Sequence, residues 1–309
     1  MYKRQNYPGL KEYGLDYALT VTRADGSVEN YGSGHIKKYA KEKHGKKYGL
    51  IYSSEEDARA MVEEWKATIA QEGDTYDEVI NITPQPQASV TIMDQKTGAI
   101  KAMVGGRGAK NSSLSLNRAY RGSTRQPGST FKILAAYAPA IDSCGKSLST
   151  IVVDEPYKYK NGKNVKNTSR SYKGAVTYRT AIANSINVCA VKVSDEISQE
   201  LGFEYCEKFG ISTLVKEKKT DAGVFSDINQ TLALGGVTDG VYNYELCAAY
   251  ATIANGGTYN TPTLYTKIVD HDGNVLLENP GESHQAIKEG TASLLTSAME
   301  TVVTSGTGR

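Results

Sequence analysis

Residues 125–132 read Arg125-Gln126-Pro127-Gly128-Ser129-Thr130-Phe131-Lys132, and they decide the predicted fold. Pro127 and Gly128 interrupt any regular element, and an apolar run that ends at Tyr137 follows them. This pattern predicts a turn that opens a buried helix at Ser129. Ser129 and Lys132 are three residues apart and would therefore lie one turn apart on the same face of that helix.

A serine and a lysine placed in this way can perform nucleophilic chemistry. The amine can accept the proton of the serine hydroxyl, and the free N–H groups at a helix N-terminus favour an oxyanion and disfavour a charged lysine. The spacing alone is not specific, because Ser143-Cys144-Gly145-Lys146 repeats it at the far end of the same predicted helix. The alternative interpretation is an N-cap serine beside a solvated lysine.

The composition is typical of a globular protein, with 39% hydrophobic residues, 23% charged residues and a formal net charge of +2. So small a net charge predicts no nucleic-acid partner. Lysines and two tyrosines cluster between residues 37 and 48, which we interpret as a solvated surface, with an anionic wall polymer or nucleic acid as the alternative. No apolar run of roughly eighteen residues occurs, so no membrane-spanning helix is predicted.

The cysteines and histidines exclude several kinds of site. Cys144, Cys189, Cys206 and Cys247 are far apart and embedded in apolar sequence without a C-x-x-C pair. We therefore predict buried free thiols rather than a metal site or a disulfide framework. The four histidines are scattered and indicate no catalytic triad. We expect no metal and no cofactor, so serine–lysine chemistry has no rival within the chain.

Two domains are predicted. Residues 1–85 contain strand-like alternation near their start and an amphipathic helix capped near Ser54, which predict a small α+β linker or accessory module. A stiff, proline-bearing linker at residues 82–87 ends this module. Residues 86–309 contain Ser129 and form the second domain.

The second domain opens with a strong hairpin pattern. Residues 88–93 and 99–104 are strand-like and are joined by Asp94-Gln95-Lys96-Thr97-Gly98. Residues 150–171 are predicted to be irregular surface loops. A later helix breaks at Ser185-Ile186-Asn187 and then resumes. Serine and asparagine at that break are explained either by a functional motif or by simple capping.

Taken in order, these motifs resemble the transpeptidase domain of class A penicillin-binding proteins, over residues from about 87 to 309. Besides the Ser129 stretch, the resemblance rests on Val104-Gly105-Gly106, Ala183-Asn184-Ser185-Ile186-Asn187, Leu232-Ala233-Leu234-Gly235-Gly236, Ala254-Asn255-Gly256-Gly257-Thr258-Tyr259 and residues 302–308. It implies a mixed α+β and α/β fold, penicillin-binding and β-lactamase-like. In that fold a central antiparallel sheet has helices on both sides.

The family's third motif, K-T-G, has no counterpart at the expected place. Lys96-Thr97-Gly98 precedes Ser129 and lies in the predicted hairpin turn, which offers no strand edge to a substrate. Ser115-Leu116-Asn117 mimics the S-x-N motif in the same way. The resemblance places the true K-T-G and the remaining strands after Arg309. We therefore expect a domain that lacks its C-terminal strands and is completed by a complementary C-terminal fragment.

The resemblance also implies roles for individual residues. Ser129 would attack the carbonyl of a D-Ala-D-Ala stem peptide, its own N–H would be an oxyanion donor, and Lys132 would be the general base. Ser185 would relay a proton to the leaving amine, and Asn187 would bind the substrate backbone. An amine of a neighbouring stem peptide would then resolve the acyl-enzyme and cross-link peptidoglycan. β-Lactam antibiotics would be trapped on Ser129.

Other functions would use the same serine. A D,D-carboxypeptidase or a β-lactamase-type hydrolase would pass the acyl group to water, and a non-catalytic acylatable sensor or cell-wall scaffold would hold it without turnover. The resemblance also implies a place on the extracytoplasmic face of the bacterial membrane, with an anchoring segment and a glycosyltransferase domain in the full-length protein. Arg125 and Gln126 are predicted to brace the loop rather than to touch substrate.

Overall fold

The computed structural model describes residues 12–45, 49–108, 116–221 and 223–309. The chain divides into two compact units, Met1–Ala88 with Gly106–Ser115 and Ser89–Gly105 with Leu116–Arg309. We call them the N-terminal unit and the C-terminal unit. Within the described ranges, no helix is long and apolar enough to cross a membrane.

The N-terminal unit is an antiparallel sheet that packs on two helices. In chain order its described elements are β1 (Glu12–Thr22), β2 (Val28–Gly32), α1 (Ser33–His44), β3 (Ile51–Tyr52), α2 (Glu55–Ala67) and β4 (Thr75–Gln85). β4 pairs with β1 along its whole length, so β2 and β3 share the opposite edge of β1. This arrangement confirms the prediction of a small α+β module.

Hydrophobic periodicity explains the packing of this unit. Alternate side chains of β1 point to one face of the sheet, as the period of two requires. The buried members of that set are Leu15, Tyr17, Leu19 and Val21, and they form one cluster with Met61, Val62 and Trp65 of α2. Ser54 Oγ accepts a hydrogen bond from the Asp57 N–H at 3.0 Å, which confirms the predicted N-cap.

The C-terminal unit combines many short strands with helices. Its strands are β5 (Val90–Met93), β6 (Ile100–Val104), β7 (Ile151–Asp154), β8 (Tyr157–Lys158), β9 (Asn164–Val165), β10 (Gly174–Thr177), β11 (Lys218–Thr220), β12 (Gly223–Phe225), β13 (Thr258–Asn260), β14 (Lys267–Val269), β15 (Val275–Glu278) and β16 (Ser283–Gln285). Its α-helices are α3 (Ala138–Ser143), α4 (Tyr178–Ala183), α5 (Asn187–Ile197), α6 (Gln199–Lys208), α7 (Asn243–Ala254) and α8 (Glu289–Ser305).

The helix that follows Ser129 is the centre of the core. Phe131, Leu134 and Tyr137 are completely buried, in one cluster with residues of α4, α5 and α6. Burying an aromatic or aliphatic side chain of this size contributes about 1.5–3 kcal/mol relative to leaving it exposed. The predicted buried helix is therefore confirmed, and its packing in the core fixes the chain directly behind Ser129.

This central helix is less regular than predicted. It begins as the 3-10 turn Gly128–Thr130, continues as a π-helix over Ile133–Tyr137 and ends as α3. Pro139 has no N–H to donate to the Ala135 carbonyl, so a regular α-helical bond is impossible there. α6 also approaches this carbonyl closely, because a Cβ at Gly202 would lie 2.4 Å from it. The missing donor and the close neighbour together explain the wider turn.

The β5–β6 hairpin has the predicted position and turn. The Asp94 carbonyl accepts hydrogen bonds from the N–H groups of Thr97 and Gly98, so Lys96-Thr97-Gly98 is a turn as predicted. α7 packs against β5, and Thr91 Oγ1 donates to Asn243 Oδ1 at 2.6 Å. The second mimic, Ser115-Leu116-Asn117, lies partly outside the described residues.

Two predictions about the C-terminal unit were wrong. Residues 150–171 are not merely irregular, because they contain β7, β8 and β9, and β7 pairs with β10. β8 and β9 have two residues each, too few for an alternating pattern to be visible in the sequence. Cys144 is exposed rather than buried, since it follows the end of α3, and Cys247 is only partly buried. Cys189 and Cys206 are buried free thiols as predicted.

Candidate active site

Ser129 lies on a turn that is held on both sides. It is exposed within the 3-10 turn Gly128–Thr130. Gly128 has a φ of +58°, a conformation that favours glycine. Thr130 Oγ1 donates to the Pro127 carbonyl at 2.8 Å, and the Tyr250 hydroxyl donates to the Thr130 carbonyl at 2.7 Å. The serine is therefore accessible while its backbone is fixed.

A second segment, residues 235–241, braces this turn. Gln126 Nε2 donates to the Val237 carbonyl at 2.6 Å, and the Val237 N–H donates to Gln126 Oε1 at 2.9 Å. The backbones of Arg125 and Val241 also exchange two hydrogen bonds, of 3.0 and 2.8 Å. These contacts confirm the prediction that Arg125 and Gln126 brace the loop.

Gly235 packs directly on the Gly128 backbone, and this contact gives a stability prediction. A Cβ at Gly235 would lie 2.2 Å from the Gly128 carbonyl oxygen, and the φ of Gly235 is +71°. We expect Gly235→Ala to lower the free energy of unfolding by at least about 2 kcal/mol, because overpacking adds to backbone strain. Denaturant unfolding measures this loss.

Gly145 is the matched control for that substitution. Its φ is +65°, but a Cβ there would have no heavy atom within 4 Å. Gly145→Ala should therefore lose only the backbone strain, about 1 kcal/mol. Equal losses in the two variants would contradict a role for close packing between Gly235 and the Ser129 turn.

Lys132 is buried among three oxygen atoms. It is 3% exposed, and its Nζ lies 2.6 Å from the Ser185 carbonyl oxygen, 2.9 Å from Ser185 Oγ and 2.6 Å from Asn187 Oδ1. Burial lowers the pKa of Lys132 from 10.5 to about 8, because desolvation disfavours the ammonium form. A neutral amine can donate to the carbonyl and amide oxygens and still accept a proton from a hydroxyl.

Ser185 occupies a strained position at the end of α4. Its φ is +50°. The Ser185 N–H donates to the Ile182 carbonyl and the Ile186 N–H to the Ala181 carbonyl, both at 3.0 Å, which is the Schellman pattern of helix termination. Glycine is the usual residue at this left-handed position. Serine here costs strain but places a hydroxyl beside Lys132.

Asn187 is the first residue of α5, and its amide is held in one orientation. Its Nδ2 donates to the Lys166 carbonyl at 2.7 Å, which leaves Oδ1 facing Lys132. Its backbone N–H donates to Asn167 Oδ1 at 3.1 Å. Sequence reasoning missed Lys166 and Asn167, since they lie in a stretch predicted to be irregular and follow no recognisable spacing.

Three of the four predicted residues line one cavity of about 320 Å³, and Asn187 joins them only through its contact with Lys132. Ser129, Lys132 and Ser185 line it, together with apolar side chains that include Ile133, Ile182 and Met299, Val302 and Val303 of α8. The Thr307 N–H donates to the Ala183 carbonyl at 3.0 Å, which fixes the end of α8 beside the end of α4. An apolar cavity with a few polar groups at one side is typical of a small-molecule site.

The competing S-x-x-K pair is not arranged in this way. Ser143 Oγ donates back to the Pro139 carbonyl at 2.9 Å, and Lys146 forms an ion pair with Glu196. A charged, paired lysine cannot accept a proton from a serine. In the part of the chain that the structure describes, no group of three or more His, Cys, Asp or Glu side chains could hold a metal ion.

With this geometry in hand, the comparisons with known proteins identify the class. Residues 88–309 match the model of the penicillin binding protein transpeptidase domain, so the chain belongs to this family. The resemblance found in the sequence is thereby confirmed.

Individual relatives agree with this assignment. The chain is 38% identical to penicillin-binding protein 1A of Clostridium tetani over 218 residues, which are 68% of this chain and 27% of that protein. It is 31% identical to penicillin-binding protein 1A/1B of Bacillus subtilis over 241 residues, 77% of this chain and 24% of that protein. The chain thus spans about a quarter of the length of these curated relatives.

Solved structures share the fold at lower identity. PonA1 from Mycobacterium tuberculosis, in complex with penicillin V, aligns with a TM-score of 0.60 and 23% identity, over 72% of this chain and 57% of that one. The D,D-transpeptidase domain of a peptidoglycan glycosyltransferase from Eggerthella lenta aligns with a TM-score of 0.57 and 20% identity, over 94% of this chain and 79% of that one. The C-terminal unit therefore has the mixed penicillin-binding fold.

Proposed function

We propose that this chain carries the acylation site of a peptidoglycan D,D-transpeptidase, with Ser129 as its nucleophile. The observation that supports this most is the environment of Lys132. A buried amine with a lowered pKa lies within hydrogen-bond reach of Ser185 and Asn187 and lines the same cavity as the exposed Ser129. The side chains that we propose as nucleophile, base and relay thus lie close together, which supports serine acyl transfer.

The proposed first step forms an acyl-enzyme. Ser129 Oγ attacks the carbonyl carbon of the D-Ala-D-Ala peptide bond, and neutral Lys132 Nζ takes the hydroxyl proton. The developing oxyanion accepts a hydrogen bond from the Ser129 N–H at the start of the helix. When the C–N bond breaks, Ser185 Oγ passes the proton from Lys132 to the leaving D-Ala nitrogen, and Lys132 becomes neutral again. The 2.9 Å contact between Lys132 and Ser185 supports this relay.

The second step transfers the acyl group to an amine. The amine of a neighbouring stem peptide attacks the ester carbon, its proton passes through Ser185 and Lys132 back to Ser129 Oγ, and a new amide bond replaces the ester bond to Ser129. Asn187 binds the backbone of the donor peptide in both steps. A β-lactam ring offers an equivalent amide carbonyl to Ser129. When the ring opens, its nitrogen remains covalently attached to the acyl group and does not diffuse away, so the ester on Ser129 persists. PonA1 was solved with penicillin V, which supports β-lactams as ligands of this site.

The relatives also suggest where the full-length protein acts and which domain accompanies this one. The relatives are penicillin-binding proteins 1A and 1A/1B, and we infer that the full-length protein acts at the extracytoplasmic face of the membrane beside a glycosyltransferase domain. Residues 1–85 would then be a linker or accessory module and residues 86–309 part of the transpeptidase domain.

Product analysis tests the proposed function. The protein is incubated with a peptide ending in D-Ala-D-Ala, with and without a stem peptide that offers an acceptor amine. We expect release of D-Ala together with a cross-linked product, and neither with Ser129→Ala. Release of D-Ala with hydrolysed peptide alone would favour a carboxypeptidase. Stable acylation without any product would favour a sensor, and no acylation at all would contradict the proposal.

A further inference from the structure

A buried polar pair lies behind the site and has no part in the steps above. Asp154, at the end of β7, is 1% exposed, and Asn167 is 7% exposed. Asn167 Nδ2 donates to Asp154 Oδ1 at 2.7 Å and to the Ser171 carbonyl at 3.1 Å. Asp154 Oδ2 accepts from the Lys173 N–H at 2.9 Å. Both carboxylate oxygens are thus used, and a buried carboxylate with fixed donors fixes them in turn.

The other side of Asn167 faces α5. Its Oδ1 accepts hydrogen bonds from the N–H groups of Asn187 and Val188, both at 3.1 Å, and so caps the first turn of the helix. The preceding residue, Lys166, supplies the carbonyl that holds Asn187 Nδ2. Asn167 therefore positions Asn187 twice, once through the backbone of α5 and once through the carbonyl next to it.

We propose that Asp154 and Asn167 are positioning residues that keep the Asn187 amide turned with its Oδ1 toward Lys132. The inference rests on the proposed function, because it concerns the same site. The orientation is not symmetric: an Asn187 amide turned the other way would present its N–H₂ to Lys132 and its oxygen to the Lys166 carbonyl. Asp154 sets the direction of the chain of hydrogen bonds, since a carboxylate can only accept.

The other charged or titratable groups near Asp154 and Asn167 do not hold the Asn167 side chain. Cys189 of α5 interacts electrostatically with Asp154, Lys132 and Lys192, and burial raises the pKa of its thiol to about 12, so it stays neutral at physiological pH. Lys192 Nζ donates to the Val153 carbonyl and to Glu155.

The Lys173 side chain also points elsewhere, because its Nζ donates to Asn184 Oδ1. Among the described residues, Asp154 is thus the charged group in direct contact with the Asn167 side chain.

Asn167→Asp is the informative single substitution. It keeps size and shape, and it still offers an acceptor to the two N–H groups of α5. It also sets a second carboxylate 2.7 Å from Asp154 Oδ1. Two buried carboxylates this close share one proton at low pH, and the shared proton then replaces the donor lost from Asn167. When the proton leaves at higher pH, repulsion drives the two side chains apart.

The expected result is a pH signature in the rate of penicillin acylation. The rate of Asn167→Asp relative to the unaltered protein should fall at least about tenfold between roughly pH 6 and pH 9. The double variant Asp154→Asn with Asn167→Asp exchanges donor and acceptor, so the hydrogen bond within the pair and the contacts to the Lys173 N–H and to α5 can form again, whereas the bond to the Ser171 carbonyl is lost in both variants. We expect its relative rate not to fall between roughly pH 6 and pH 9 but to rise, because a carboxylate one hydrogen bond closer to Lys132 raises the pH at which acylation is half-maximal. Asn164→Asp, an exposed substitution in β9, is the matched control and should behave like the unaltered protein.

The chemical shift of the Asn187 side-chain amide gives a second readout that needs no turnover. This chemical shift should change with pH in Asn167→Asp, and in the double variant it should have the value of the unaltered protein. A chain that is not acylated but shows these shifts would sink the proposed function and leave the positioning role intact. The positioning role would be overturned if Asn167→Asp followed the profile of the unaltered protein, or if the double variant regained stability without regaining the Asn187 shift.

Discussion

Ser129→Ala is expected to lower the rate of covalent labelling by a fluorescent penicillin by at least about 10⁴-fold, because losing the nucleophile of a serine acyl-transfer site removes the covalent step itself. Ser129 is exposed on a turn that is held by Thr130, Gln126 and Gly235, and its own side chain adds little to that packing. The variant should therefore fold with unchanged stability. Gel fluorescence after timed incubation measures the rate.

Ser143→Ala is the matched control for this substitution. Ser143 begins the other S-x-x-K sequence, but its hydroxyl donates to the Pro139 carbonyl and its lysine is paired with Glu196. Removing it should leave labelling within about twofold of the unaltered protein and cost about 1 kcal/mol of stability at most. Labelling that survives in Ser129→Ala and disappears in Ser143→Ala would reverse the assignment of the nucleophile.

Lys132→Met is expected to lower the rate of acylation by about 10²–10⁴-fold, the usual contribution of a general base. The rate with Lys132 present should rise with pH and reach half of its maximum near pH 8, because the neutral amine is the active form and burial lowers its pKa to about 8. The residual rate of Lys132→Met should lose this dependence. Stopped-flow or timed labelling across that range tests both expectations.

The same pKa makes a prediction about stability with a defined sign. The amine of Lys132 binds protons less tightly in the folded protein than in the unfolded chain, whose lysines have a pKa of about 10.4. The unfolded state therefore binds more protons between about pH 8 and that value, and Lys132 contributes a rise in stability across this window. Lys146→Met, which removes an ion-paired lysine, is the control and should alter neither profile. If the acylation rate of the unaltered protein did not change with pH, Lys132 would not be the base.

Much of the site could be predicted from the sequence, since its parts are local. The turn at Pro127 and Gly128, the buried helix behind Ser129 and the break at Ser185 each follow from residues that are neighbours in the chain. The spacing of Ser129 and Lys132 gave the right face of the helix although Ser129 lies in a 3-10 turn rather than in an α-helix. A separation of three residues brings side chains together in either form.

Long-range contacts could not be predicted. Asn167 accepts a hydrogen bond from a helix that begins 20 residues later in the chain, and Asp154 bonds to Asn167 across 13 residues; no periodicity reports such links. The sequence also did not predict the left-handed conformation of Ser185, because the helix break predicts a cap but not which residue takes the positive φ. The sequence predicted that Gln126 braces the loop, but it did not predict that Val237 is the partner.

Mass spectrometry of the penicillin-treated protein is the most direct test of the central claim, that Ser129 forms the acyl-enzyme. We expect a mass increase of one penicillin per chain, located by proteolysis in the peptide that contains Ser129 and absent from Ser129→Ala. The absence of an adduct, or an adduct located on another residue such as Ser143, would contradict it.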